Sequence, residues 1–110
     1  MVIIAYDLGT GGVKAALYDD SLKVLAKSFM EYRTYFPGSG LHEQKPSDWW
    51  NGVVESTKQL LAASHTDPQA VGAVAISGQS LTAIPVDGSG AALLERVPIW
   101  SDGRAKDEAR

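Results

Sequence analysis

The stretch that most constrains this chain is Asp7-Leu8-Gly9-Thr10-Gly11-Gly12-Val13-Lys14. It is a glycine-rich break between two short apolar runs, residues 2–6 and 13–18, whose β-rich composition reads as two strands. Two familiar phosphate loops do not fit it. A Rossmann fingerprint needs a third glycine where Lys14 stands, and a helix after it. A Walker A loop needs glycine directly before the lysine and Ser or Thr after it, where this chain has Val13 and Ala15. What remains is strand, aspartate, glycine turn, strand, with a lysine just inside the second strand. Glycines let a backbone approach a phosphate and aim N–H groups at it. The Thr10 hydroxyl adds a donor and Lys14 a positive charge for a transferring phosphoryl group. Asp7, at a strand end, can orient Mg²⁺ through its water shell. Taken alone, the same residues also suit a plain glycine-rich β-hairpin.

Downstream, residues 22–32 alternate loosely (Leu22, Val24, Ala26, Ser28, Met30) and predict a third strand, completing an antiparallel meander. Residues 34–45 read as a loop around Pro37-Gly38-Ser39-Gly40. Pro46 suits a first helical position, with Ser47 as an alternative cap. Trp49, Trp50, Val53, Val54, Thr57, Leu60 and Leu61 then recur at helical spacing, predicting an amphipathic helix whose tryptophans belong to the core. Asp67-Pro68 ends that region, and residues 71–76 predict a buried strand closed by Ser77-Gly78-Gln79-Ser80. Residues 81–86 and 91–100 predict a hairpin about Asp87-Gly88-Ser89-Gly90, and Ser101-Asp102 the cap of a further helix. That helix runs into the chain end, which suggests a piece of a longer protein.

Composition narrows the function. A chain of 110 residues suffices for one domain with a core. A formal charge of −3 with no basic cluster argues against nucleic acid. The absence of cysteine excludes disulfides and thiolate metal sites. The N-terminus lacks the basic n-region of a signal peptide, and the apolar runs are strand-sized. No membrane association is therefore expected, and a cytoplasmic location is the default. His42 and His65 have no partner spacing and read as surface residues; Glu43 reads as structural.

Four segments, in order, carry a resemblance. Residues 7–14 resemble the first phosphate motif of the actin, Hsp70 and hexokinase superfamily. Leu41-His42-Glu43-Gln44-Lys45-Pro46-Ser47-Asp48-Trp49-Trp50 resembles the loop-to-helix segment of the FGGY carbohydrate kinases. Val74-Ala75-Ile76-Ser77-Gly78-Gln79 resembles their next strand and substrate turn, and residues 98–105 their Trp-x-Asp-x-Arg segment. The resemblance implies an α/β, ribonuclease-H-like (actin-like ATPase) fold. Residues 1–110 would form the N-terminal part of its first domain: three-strand meander, helix, parallel strand, inserted hairpin. It implies an ATP- and Mg²⁺-dependent carbohydrate kinase, with a homodimer compatible with that class. Asp7, Gly9, Thr10, Gly11 and Lys14 would face the ATP phosphates, with Asp7 near the metal. Gln79, Ser80 and Leu81 would lie on the substrate turn, and Trp100 against the carbon chain of a sugar or polyol. Asp102 and Arg104 would line or brace the pocket, although Asp102 equally suits a simple helix cap.

The family's catalytic aspartate and adenine pocket would lie beyond Arg110, leaving this chain inactive alone. Where glycerol kinases have Arg-Glu and xylulose kinases Met-His, this chain has Ser80-Leu81. Neither glycerol nor D-xylulose is therefore implied as substrate; another ketose, polyol or sugar acid fits better. Two rival readings are a non-enzymatic actin-like nucleotide switch and a small phosphate- or protein-binding domain.

Overall fold

The structure is a computed structural model and describes residues 1–110. The meander forms as expected, from β1 (Val2–Leu8), β2 (Gly12–Tyr18) and β3 (Val24–Glu31). A two-residue strand, β4 (Glu43–Gln44), leads into α1 (Pro46–Ser64); β5 (Val71–Gly78) and β6 (Val97–Pro98) follow. The main sheet has the order β3-β2-β1-β5, with β5 parallel to β1 and the other pairs antiparallel. The chain is thus a mixed α/β structure. Strands β4 and β6 pair antiparallel in a separate small sheet.

Alternation along β1 and β2 decides the layering. Ile4 and Tyr6 of β1 and Val13, Ala15 and Leu17 of β2 are buried together with Leu60 of α1. Pro46 starts the helix without any side-chain cap bond from Lys45. His65 closes it in the left-handed region, its N–H donating to the Ala62 carbonyl. The Thr57 hydroxyl donates to the Val53 carbonyl, so the Tyr6 phenol is the donor in the 2.5 Å bond to Thr57 Oγ1. That bond pins the helix to β1.

The helix buries a different line from the one its apolar residues predict. Gly52, Ser56 and Leu60 are its buried positions, with Trp49 and Val53 packed beside the core. Trp50, expected in the core, is 68% exposed. Small residues at 52 and 56 let α1 approach β2 closely, and that rotates Trp50 onto a second stripe toward β5. A Cβ on Gly52 would lie 2.9 Å from Val13 Cγ1, and Val13 is fully buried. Alanine favours helix over glycine by about 1 kcal/mol. Gly52→Ala is nonetheless expected to destabilise the chain by about 1–2 kcal/mol through overpacking. Urea titration of the two proteins measures it.

Three other expectations are corrected. β5 is not buried: Val74 and Ile76 point to the α1 side of the sheet but are 56% and 68% exposed, because the helix covers β2 and β3 instead. The hairpin of residues 81–100 reduces to one bridge, Val86 with Ala92, around a turn closed by the Asp87 carboxylate. Pro85 removes a ladder donor there, and only the short β6 finds a partner strand, β4. No helix follows Asp102; residues 104–109 form turns. Gly103 is a poor helix starter, and Asp102 is engaged by the Arg104 side chain as well as its amide.

Candidate functional site

The β1–β2 turn contains two adjacent glycines with opposite reasons for being glycine. A Cβ on Gly12 would stand 2.5 Å from the Met30 carbonyl oxygen and 2.8 Å from the Phe29 ring. The fold itself excludes any side chain there. Gly11 is exposed, lies outside the left-handed region, and a Cβ on it would meet nothing within 4 Å. Nothing in the fold requires glycine at 11; a ligand approaching the backbone would. Gly9 closes the turn through its N–H to the Gly12 carbonyl at 3.0 Å.

Asp7 and Lys14 are register partners on the sheet face away from α1, both exposed, and they form no ion pair with each other. Ser77 of β5 continues the row beside Asp7. One ammonium and one carboxylate therefore stand on neighbouring strands, neither engaged in an ion pair within the chain.

Tyr32 supports the turn from the core side. Its hydroxyl donates to the Gly9 carbonyl. Burial pushes the Tyr32 phenol up to about 12, and the Asp7 charge adds to the rise. A raised acid pKa means the folded chain favours the neutral phenol. Stability from this group is intact below pH 10 and is lost as pH climbs toward about 12. Tyr32→Phe is expected to cost about 1–2 kcal/mol at neutral pH, from the orphaned carbonyl, and to remove this alkaline decline. Denaturant midpoints at pH 9 and pH 11.5 (roughly one unit below and one and a half above the ordinary tyrosine value) test both parts.

The residues after β5 come back to the same turn. Trp100 Nε1 donates to Thr10 Oγ1 at 2.9 Å. Indole N–H is a donor only, so the Thr10 hydroxyl proton remains available to another acceptor. Trp100 itself is 55% exposed. Leu81, Trp100, Asp102 and Arg104 line one open cavity of about 340 Å³, with Ile99 at its floor. Leu81 is 89% exposed and has φ 63°, a left-handed conformation that is strained for leucine. Gln79 and Ser80 do not line that cavity; Gln79 instead donates to Gln44 Oε1 at 3.0 Å.

Asp102 and Arg104 brace the cavity wall. The Asp102 side chain is only 3% exposed. Its carboxylate accepts from the Arg104 amide and guanidinium and, at 2.6 Å, from the His42 amide. These bonds, the Arg104 guanidinium foremost, hold its carboxyl well below the usual range. Arg104 also reaches Glu43 Oε2 at 2.8 Å. His42, expected as a free surface residue, is tied in by its backbone and by a ring bond to Ser101 Oγ at 2.8 Å. Its isolation in sequence concealed this, because both partners lie some sixty positions away.

Sequence reading also passed over Gln44. It is fully buried, between Thr10, Thr34, Trp49 and Gln79. Its only sequence signal is its place in the segment of residues 41–50, since a single polar residue in a loop has no periodicity. No group of three or more His, Cys, Asp or Glu is placed to hold a metal ion. Asp7 is the acid at the glycine turn, and Mg²⁺ held mainly by water and phosphate oxygens needs only one or two carboxylates. An outer-sphere role for Asp7 fits that donor set. No helix is long and apolar enough to cross a membrane.

Residues 2–110 match the N-terminal domain of the FGGY family of carbohydrate kinases, and the chain belongs to that family. The glycerol kinase of Chelativorans sp. (strain BNC1) is 29% identical over 102 residues, which is 93% of this chain and 20% of that protein. The glycerol kinase of Rhizobium meliloti (strain 1021) is 28% identical over the same share. A xyloylose kinase from Brucella ovis superposes with a TM-score of 0.92 at 29% identity, over 99% of this chain and 23% of that one. A gluconate kinase from Lactobacillus acidophilus gives 0.87 at 25%, over 97% of this chain and 21% of that one. The chain therefore spans about a fifth of the length of these relatives.

Proposed function

We propose that this chain is the nucleotide-phosphate and sugar-binding part of an ATP-dependent kinase that phosphorylates a hydroxyl of a sugar, ketose, polyol or sugar acid. One observation supports this most: the 2.9 Å bond from Trp100 to Thr10, which sets the open cavity directly against the glycine turn. Phosphoryl transfer depends mainly on positioning and charge neutralisation. The Gly9–Gly11 backbone and the Thr10 hydroxyl would hold phosphate oxygens. Lys14 would offset charge on the transferring group. Mg²⁺, when bound, would neutralise phosphate charge, with Asp7 orienting its water shell. The exposed face of Trp100 would carry the apolar side of the carbon chain, while Asp102 and Arg104 keep the wall rigid.

Residues 1–110 read as the N-terminal part of a first ribonuclease-H-like domain. The general base would come from the remaining four-fifths of a kinase of the relatives' length, so the chain alone would bind but not turn over. Ser80 and Leu81 offer little hydrogen bonding where the resemblance places a charged Arg-Glu pair in glycerol kinases and Met-His in xylulose kinases. The substrate would differ from both. Incubating the complete kinase with MgATP and a panel of ketoses, polyols and sugar acids, and following ADP release, tests the reading. Turnover with one substrate class is expected. ATP-driven assembly with no sugar-dependent ADP release would favour the nucleotide-switch alternative.

A further inference from the structure

Gln44 has every hydrogen-bonding position of its amide in use. Its Nε2 donates to the Thr10 carbonyl at 2.6 Å and to Thr34 Oγ1 at 2.8 Å. Its Oε1 accepts from Trp49 Nε1 at 2.9 Å and from Gln79 Nε2 at 3.0 Å. The orientation of the amide follows from chemistry alone. Indole N–H only donates and a backbone carbonyl only accepts, so the oxygen must face Trp49 and the nitrogen Thr10. Flipping the group would break both bonds at once. Because the side chain is 0% exposed, no water can substitute for a lost partner without a cost in desolvation.

The four partners come from four different places: the glycine turn, the exit of β3, the first turn of α1 and the residue following β5. Two of them matter for function on the reading above. Thr10 belongs to the turn assigned to phosphates, and Gln79 to the turn assigned to the sugar. Their separation in sequence is 69 positions, from 79 and 10, and Gln44 is bonded to both. Thr10 is also held from its hydroxyl side by Trp100. A shift of Gln79 therefore pulls on an amide whose other end holds the turn backbone. Side-chain networks of this kind polarise and position one another beyond pairwise sums.

We propose that Gln44 is a positioning residue that couples the sugar turn to the phosphate turn, so that the occupancy of one sets the backbone geometry of the other. The inference rests on the functional reading given above for which ligand each turn takes; the mechanical coupling itself does not. Any such coupling is reciprocal: a sugar that tightens nucleotide binding through Gln44 is itself bound more tightly in the presence of nucleotide.

A hydrogen-exchange cycle on the 110-residue chain tests the coupling without any ligand. The probes are the Gly9 amide, which closes the turn on Gly12, and the Tyr32 amide, which donates to Gly11. Gln79→Leu is expected to speed exchange of both amides about fivefold in the parent chain. With Gln44→Leu already present, the same substitution should change them less than about twofold. Gln44→Met, an unbranched side chain of similar length that buries no charge, provides a milder background if Gln44→Leu unfolds the chain. It loses the donors to Thr10 as well as the acceptor for Trp49 and Gln79, and it should likewise uncouple Gln79 from Gly9. Equal effects of Gln79→Leu in all backgrounds would overturn the proposal, since a purely structural Gln44 would lower protection everywhere without altering the response to Gln79. A separate titration with MgATP distinguishes the two layers. If the coupling appears but the Gly9–Lys14 amides ignore MgATP, the assignment of the turn to phosphates fails and the relay stands.

Discussion

Gly12→Val is expected to destabilise the chain by about 3 kcal/mol or more, at the upper end of what overpacking does. The obstacle is backbone: the first carbon of the new side chain would stand 2.5 Å from the Met30 carbonyl oxygen, and the Phe29 ring lies 2.8 Å away. A flexible side chain can turn aside, but the β2–β3 ladder cannot, because Gly12 pairs directly with Glu31 at its end. Native stabilities of small domains are only about 5–15 kcal/mol, so a loss of that size removes a large share. Chemical denaturation should show a midpoint shift far beyond that of Gly11→Val. The neighbouring glycine meets nothing within 4 Å and should be nearly neutral for folding. Similar destabilisation by the two substitutions would contradict this account of the turn.

Asp7→Ala in the complete kinase is expected to lower turnover on the order of a hundred- to a thousandfold, the scale seen when one electrostatic contact to a developing charge is removed. Folding should be almost untouched. The Asp7 side chain is exposed, has no ion-pair partner, and lies on the sheet face away from the core. One small stability effect has a known sign: the Asp7 charge adds to the rise in the Tyr32 phenol pKa, so its removal should slightly lessen that rise. Steady-state kinetics with unchanged thermal stability confirms the assignment. Full activity in Asp7→Ala would remove Asp7 from the phosphate site.

The parts of the fold that rest on local pattern were legible in the sequence. The meander follows from alternation broken by glycine and aspartate turns, and α1 from Pro46 and a helical apolar period. What failed depended on which surfaces meet. Trp50 and the β5 residues Val74 and Ile76 look like core because they are large and apolar, yet the helix leans toward β2 through Gly52 and Ser56, which carry no hydrophobic signal. The hairpin forms about its predicted turn but its strands are shorter than predicted, because alternation predicts a strand only where a partner strand exists, and residues 81–96 pair through one bridge. At the candidate site, the glycine turn was visible as a motif. Gln44, Tyr32 and His42 were not, since each acts through a bond to a residue from 23 to 60 positions away. Isolated polar residues in loops give no periodic signature of such pairings. The role of Asp102 as a brace for Arg104 and the His42 amide, in place of a helix cap, likewise depends on a tertiary contact.

The central claim is that the turn from Asp7 to Lys14 receives nucleotide phosphates. Titrating MgATP into the isotopically labelled chain, and following backbone amide shifts residue by residue, tests it most directly. The account predicts that the largest saturable shifts fall on Gly9, Thr10, Gly11 and Lys14, with smaller ones relayed to Gln44 and Trp100. Shifts centred instead on Trp50, Val74 and Ile76, which line a second open cavity between α1 and β5, or a glycine turn that stays silent at saturating nucleotide, would contradict it.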